Sequence, residues 1–257
     1  MSKIIVKGFS NKMKIILLPV LIIGLLILCG SSYAIAGGRG SDEVVKESFL
    51  NFEVKPDMDL YLEAISGELI IKEISGKEAS ASMKASCHHD SDKCAEHFSD
   101  LEFTTTWRGN KLSIGTNKGL GFKGDRSVQT ILSIPHVNRL NVKMAAGETN
   151  ISVKHINELS VDMKAGELDI HIEQLDSFLD VDLLAGEVDI EIPEDSVGEI
   201  DIDADMGDAS IRRNGVEEEA PRSFLIGAQT HKFISDGGAA VHVDVQIGDI
   251  QLNLTGK

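Results

Sequence analysis

The chain has 257 residues, of which 41 are acidic and 25 basic, giving a formal net charge of −16 at pH 7 with 5% aromatic content. Such an acidic surface repels phosphate backbones and anionic lipid heads, which excludes nucleic acid as the expected partner. The charge bears on solubility and partners and says nothing about fold.

At the N-terminus Lys3, Lys7, Lys12 and Lys14 precede the apolar run "IILLPVLIIGLLIL", Ile15–Leu28, and Ala34 and Ala36 form an A-x-A site in "YAIAGG". These are the n-region, h-region and cleavage site of a secretory signal. The sequence therefore predicts a signal peptide over 1–36. The exported chain would start near Gly37, in the periplasm or at the cell surface, with no membrane insertion after cleavage. An uncleaved N-terminal anchor is the alternative, although 15–36 is barely long enough to span a bilayer. Cys29 follows the apolar run as a lipidated cysteine does, but Leu28 stands where lipoprotein signals carry a small residue, so no lipid anchor is expected. Loss of 1–36 removes four of the 25 cations and none of the 41 acids, leaving a net charge of −20.

Residues 37–57 read as a lead-in, and 58–254 as a single domain with an irregular insert at about 87–126. The stretch "MDLYLEAISGELIIKEI", 58–74, alternates apolar and polar residues on both sides of Gly67, as strands with one buried face do.

In the insert, Cys87 and Cys94 lie close together in "SCHHDSDKCAEH". In an oxidising compartment this pair is read as a disulfide closing a small ring. The rival is a metal site using Cys87, His88, His89, Cys94 and His97. It lacks the C-x-x-C spacing of structural zinc sites, and adjacent His88 and His89 point to opposite faces of an extended segment. Arg108–Lys111, "RGNK", reads as a hairpin turn, with Trp107 beside it a packing or edge residue. "GLGFKG", 119–124, has the spacing of a dinucleotide loop, but a strand rather than a helix follows it, so it is read as a loop only.

From about residue 139 a phrase recurs: "MAAGETNISV", "MKAGELDIHI", "LLAGEVDIEI", then "DMGDASI" and "QIGDIQL". Gly147, Gly166, Gly186 and Gly207 fall 19, 20 and 21 residues apart, and Gly248 follows after 41. A period near 20 is the mark of stacked units that cannot each bury a core alone. Each glycine sits where the alternation changes phase, the place for a backbone corner with positive φ or close chain approach. Gly67, Gly147, Gly166, Gly186, Gly207 and Gly248 are therefore the predicted corners.

The polar connectors "KHINE", "EQLDS" and "PEDSVGE" read as turns rather than crossover helices, which argues against βαβ architecture. Two all-β solutions remain: a β-solenoid whose repeats pair in parallel, or an antiparallel β-sandwich of hairpins. The segment 215–240 reads as a degenerate coil with Gly227 in phase, and the final strands, Val241 to Leu254, as the cap of the stack.

No nucleophile motif is present, and His136, His155, His171, His231 and His242 are scattered. Stacking would align Asp162, Asp182 and Asp203 on one face and Asp169 and Asp189 on another. Such ladders have the chemistry to share calcium, but the fixed loop motif of calcium sites is lacking, so a solvated acidic face is expected and no metal or cofactor.

The succession "SGELIIKEISGKE", "AAGETNISV", "KAGELDIHI", "LAGEVDIEI", "MGDASIRRNG" and "GGAAVHVDVQIGDIQL" resembles the bacterial putative-adhesin family over roughly 58–254. The resemblance implies a β-solenoid similar to right-handed parallel β-helices, outside the cytoplasm, with no catalytic residues to carry over. The expected function is a non-enzymatic, adhesin-like interaction protein with a protein or glycan partner of the cell envelope. The alternatives are a periplasmic accessory or sensor scaffold of an envelope regulatory system and, last, a carbohydrate-active enzyme on a β-helix, which needs two converging carboxylates.

Overall fold

The computed structural model describes residues 43–55, 57–87, 92–118, 126–223, 227–236 and 238–256. The expected signal sequence, Cys29, His88, His89 and residues 119–124 lie outside them.

In chain order the elements are β1 (Glu43–Glu53), β2 (Asp59–Glu73), β3 (Glu78–Cys87), helix α1 (Asp92–Phe98), β4 (Phe103–Arg108), β5 (Lys111–Thr116), β6 (Arg126–Ile134) and β7 (Arg139–Met163). There follow β8 (Gly166–Pro193), a 3-10 turn (Glu194–Ser196), β9 (Val197–Met206), β10 (Ala209–Arg213), β11 (Val216–Glu219), β12 (Arg222–Ser223), β13 (Gly227–Phe233) and β14 (Ala239–Thr255). Side by side they run β1-β3-β6-β2-β7-β8-β14-β9-β13-β12. From β6 to β9 every neighbour is parallel. The antiparallel pairs are β1 with β3 and β3 with β6 at one end, β13 with β9 and β12 with β13 at the other, and two local hairpins. The body is a β-solenoid, and the antiparallel alternative survives only at its ends.

Equivalent residues of successive coils fall into columns because strands with the same period-two phase bury the same positions. Ile71, Ile151 and Ile170 align in one buried column, and Ile190, Leu252 and Ile211 continue it. Val161, Val181, Val243 and Ile202 make the facing column. Each such side chain contributes about 1.5–3 kcal/mol on leaving water. The connectors "KHINE" and "EQLDS" are paired rungs rather than turns: His155 lies opposite Gln174, and Ile156 opposite Leu175. Ile156 and Leu175 are buried, so one inward aliphatic keeps each connector in the sheet.

The glycines define a single column, ordered Gly67, Gly147, Gly166, Gly186, Gly248, Gly207. Their φ angles lie between 106° and 154°, the region only glycine enters readily. A Cβ on Gly166 would overlap the carbonyl oxygen of Gly147, and one on Gly248 would overlap that of Gly186. Gly67 and Gly147 are 80 positions apart in sequence yet adjacent in the stack. The insert between them builds the end of the solenoid, including a second, smaller core of Met83, Cys87, Cys94, Phe98, Leu101 and Val128.

The far end differs from the expected order. The last strand is not a cap: β14 inserts between β8 and β9, with Val243 opposite both Val181 and Ile202, and Gly248 between Gly186 and Gly207. The physical reason is that the coils share one alternation, so β14 fits the slot as well as β9 would. The 215–240 segment is accordingly not a degenerate coil. Gly227 packs against the carbonyls of Ala204 and Asp205 in an antiparallel strand, and β13, β12 and the β10–β11 hairpin form the closing end.

Cys87 and Cys94 are joined, with Cα atoms 6.1 Å apart. Removing both as Cys87→Ala/Cys94→Ala should cost about 2–3 kcal/mol in denaturant unfolding, since the bridge closes a short ring. Gly166→Ala should cost more than about 3 kcal/mol, combining positive φ with a backbone overlap, whereas Gly76→Ala, at φ 128° but with open space around it, should cost about 1 kcal/mol. Equal losses of melting temperature at the two glycines would show that close approach does not govern the corner.

Candidate functional site

Because a parallel stack repeats its exterior at every rung, any outward acid becomes a ladder. Asp162 faces Asp182, Asp182 faces Asp244, and Asp244 faces Asp203. The sequence reading placed Asp162, Asp182 and Asp203 together. It missed Asp244, whose place between the last two follows from the insertion of β14. The signal was the phrase "VHVDVQIGD" itself, which repeats the phase of "LDVDLLAGE".

On the other side of the corner, the residue after each glycine makes a longer ladder: Glu68, Glu148, Glu167, Glu187, Asp249 and Asp208. Its last two members are tied by the Asp208 backbone N–H, which donates to Asp249 Oδ1 at 2.9 Å. Asp169 and Asp189 stand two residues further along, between Asn150 and Gln251.

The β10–β11 hairpin leaves this face and walls a groove of about 520 Å³. Its floor holds Glu167, Asp169, Glu187 and Asp189, with Asp208 and Asp249 at the corner. Glu217 and Glu219 supply the wall, and among the described residues no lysine or arginine lines it. The groove is concave and its charged lining residues are all acidic, with Glu217 already paired to Arg212 at 3.1 Å, so its chemistry suits cationic groups.

Four carboxyls on these faces are pushed above the ordinary aspartate range. Partial burial is the main cause for Asp169, Asp180, Asp203 and Asp244, followed by a neighbouring acid in each case: Asp189, Asp182, Asp205 and Asp205 respectively. Carboxyls beside cations go the other way: Arg213 lowers the partly covered Glu194, and Arg212 and Lys232 lower the exposed Glu217 and Glu218.

Four of the scattered histidines, His155, His171, His231 and His242, are strand residues at least partly open to water and stand beside acids of neighbouring strands. His155 Nε2 lies 2.6 Å from Asp176, His171 Nδ1 3.2 Å from Glu191, His231 Nε2 3.1 Å from Glu199 and His242 Nδ1 3.7 Å from Asp201. His136 stacks on His155 with centroids 4.7 Å apart. His97 packs edge-on against Phe98. With Cys87 and Cys94 in a disulfide, the rival metal set loses its thiolates, and among the described residues no three ligating side chains cluster as a metal would need. Trp107 is partly exposed, with Lys55 Nζ 4.5 Å from its ring centre, on the β4–β5 hairpin whose turn pairs Arg108 with Lys111. Among the described residues no helix is long and apolar enough to cross a membrane.

Raised carboxyl affinities make a prediction with a definite sign. In the folded state these four aspartates hold protons at pH values where the unfolded chain has released them, so stability falls as pH rises through that interval. Melting temperature should therefore increase as pH is lowered from neutrality and turn over near the ordinary glutamate value of 4.5, below which Glu194, Glu217 and Glu218 begin to lose their ion pairs. Asp203→Asn/Asp244→Asn should flatten the upper part of this profile; an unchanged slope would remove the ladder as its cause.

Three comparisons place the chain among known proteins. The family model Toastrack DUF4097 matches residues 55–253. A putative cell adhesion protein from Clostridium sporogenes has a solved structure that is similar with a TM-score of 0.56 at 14% identity, over 84% of this chain and 100% of that one. A putative adhesin from Bacteroides fragilis gives a TM-score of 0.31 at 11% identity, over 81% of this chain and 97% of the other. No curated protein matches.

Proposed function

Because the chain belongs to the Toastrack DUF4097 family, we propose that it is an exported, non-catalytic, adhesin-like protein that binds a protein or glycan partner of the cell envelope. The observation that carries the reading is the stack itself. It devotes its inward positions to aliphatic columns and its outward positions to carboxylate ladders beside an anionic groove, which is the construction of a rigid presenting surface. Its acids repeat along the stack instead of pairing as one distinct acid and one distinct base. The similar fold of a protein named for cell adhesion supports the same reading, as do the secretory features of residues 1–36.

The test is to express an epitope-tagged full chain, fractionate the cells, and add protease to intact cells. Cleavage on intact cells together with retention of the purified protein by those cells is the expected result. Recovery in the cytosol, or purified protein that no envelope preparation retains, would overturn it.

A further inference from the structure

The residue directly before each corner glycine changes character along the stack. It is Ser66 at the first corner, Ala146, Ala165 and Ala185 at the next three, then Ile247 and Met206 at the last two. Leu184 extends this strip by one position. Leu184, Ile247 and Met206 leave 46%, 49% and 44% of their surface in water, on coils that bury their other aliphatics almost completely. Ile247 lies opposite Ala185 on one side and Met206 on the other, so Ala185, Ile247 and Met206 run over three rungs, roughly 10 Å at the usual strand spacing, with Leu184 beside Ala185 one residue earlier in the chain. Single exposed aliphatics are ordinary, but a continuous strip rimmed by charge marks a contact surface.

The rim is acidic on both sides. Asp182, Asp244 and Asp203 stand on the face leading into the corner, and Glu187, Asp249 and Asp208 on the face leading out. No lysine or arginine occurs on these three rungs between the two acid rows. Lys143 and Lys164 belong to the coils where the strip is alanine; the Lys164 carbonyl accepts from the Ala185 N–H at 3.1 Å, and the Lys143 side chain is turned to Asp162 at 3.7 Å. His242, on β14 two residues before Asp244, faces Asp201 and Asp180 from the same side, and the antiparallel β13 brings neutral Gln229 opposite Asp203.

We propose that the glycine corner across β8, β14 and β9 docks a basic amphipathic polypeptide segment. Its aliphatic stripe covers Leu184, Ile247 and Met206 while lysines or arginines on either side of that stripe meet the two acid rows. Charge complementarity selects this occupant. Anionic lipid and nucleic acid are repelled by the same carboxylates, and a bare cation would engage the rows but leave the aliphatics in water. The inference rests on the interaction reading above and names the class of partner.

The test is fluorescence anisotropy with purified protein and three labelled probes: a designed Leu/Lys helix with its leucines in one stripe, an isomer with the same leucines scattered around the helix, and polylysine of equal charge. The striped peptide should bind about tenfold tighter than its isomer. Leu184→Ser/Ile247→Ser/Met206→Ser should weaken the striped peptide by about tenfold and leave polylysine unchanged, since the three side chains are exposed and carry no charge. Asp182→Asn/Asp244→Asn should weaken both, and Glu187→Gln/Asp249→Asn on the opposite face serves the same purpose if the first pair impairs folding. Equal binding of striped and scattered peptides, or a triple serine variant that binds as the wild type does, overturns the proposal. Retention by intact cells separates the two readings. Wild-type and triple-serine proteins retained equally, with no stripe preference, overturn the corner and leave the interaction reading standing; a wild type neither retained nor peptide-binding overturns both.

Discussion

The close approach of backbone to backbone at the glycine column is the constraint on which the stack depends. At each corner the Cα of one coil sits where the carbonyl of the coil below leaves no room for a side chain, and Gly147, Gly166, Gly186, Gly248 and Gly207 all meet this condition in turn. Once that distance is set, the strands leading into and out of the corner are held at sheet spacing, and their hydrogen bonds and aliphatic columns follow together. A side chain there would force the coils apart and break both, so the corner fixes the register as well as the turn.

The same repetition explains what could be read from the sequence. The glycine period identified the corners, and the alternation of residues such as Leu168, Ile170 and Ile172 identified the buried face, because both are properties of one coil and its immediate phase. The order of coils is a different matter. Val243 satisfies Val181 and Ile202 equally well, so nothing in the local pattern says that β14 enters between β8 and β9 rather than after them. Periodicity specifies which faces match and is silent on which of several matching faces meet.

The ends obey other rules and were less legible. At one end β1 and β3 turn antiparallel over a small core in which α1 contributes Phe98 and Cys94, a helix too short to announce itself against the polar residues around it. At the other, the hairpin of β10 and β11 folds back along the face and forms the groove wall. Both arrangements cover or pair rungs that would otherwise offer parallel strand edges to another chain. The groove was not legible because its acids come from four coils and a hairpin, and only the folded order assembles them.

A solenoid that repeats a phrase also repeats its charges, and equal charges one strand spacing apart repel. The chain relieves this in some columns. Asn150 and Gln251 end the acid row on either side of Asp169 and Asp189, and His242 stands between Asp180 and Asp201. It does not do so in the row that follows the glycines, which stays acidic from Glu68 through Asp208. The means of relief are therefore available to the fold, and the unrelieved row runs beside the part of the corner where alanine gives way to isoleucine and methionine. Two independent costs, exposed aliphatics and stacked carboxylates, are borne on the same three rungs. A contact that covers the first and neutralises the second removes both, whereas solubility alone accounts for the charges and leaves the aliphatics unexplained.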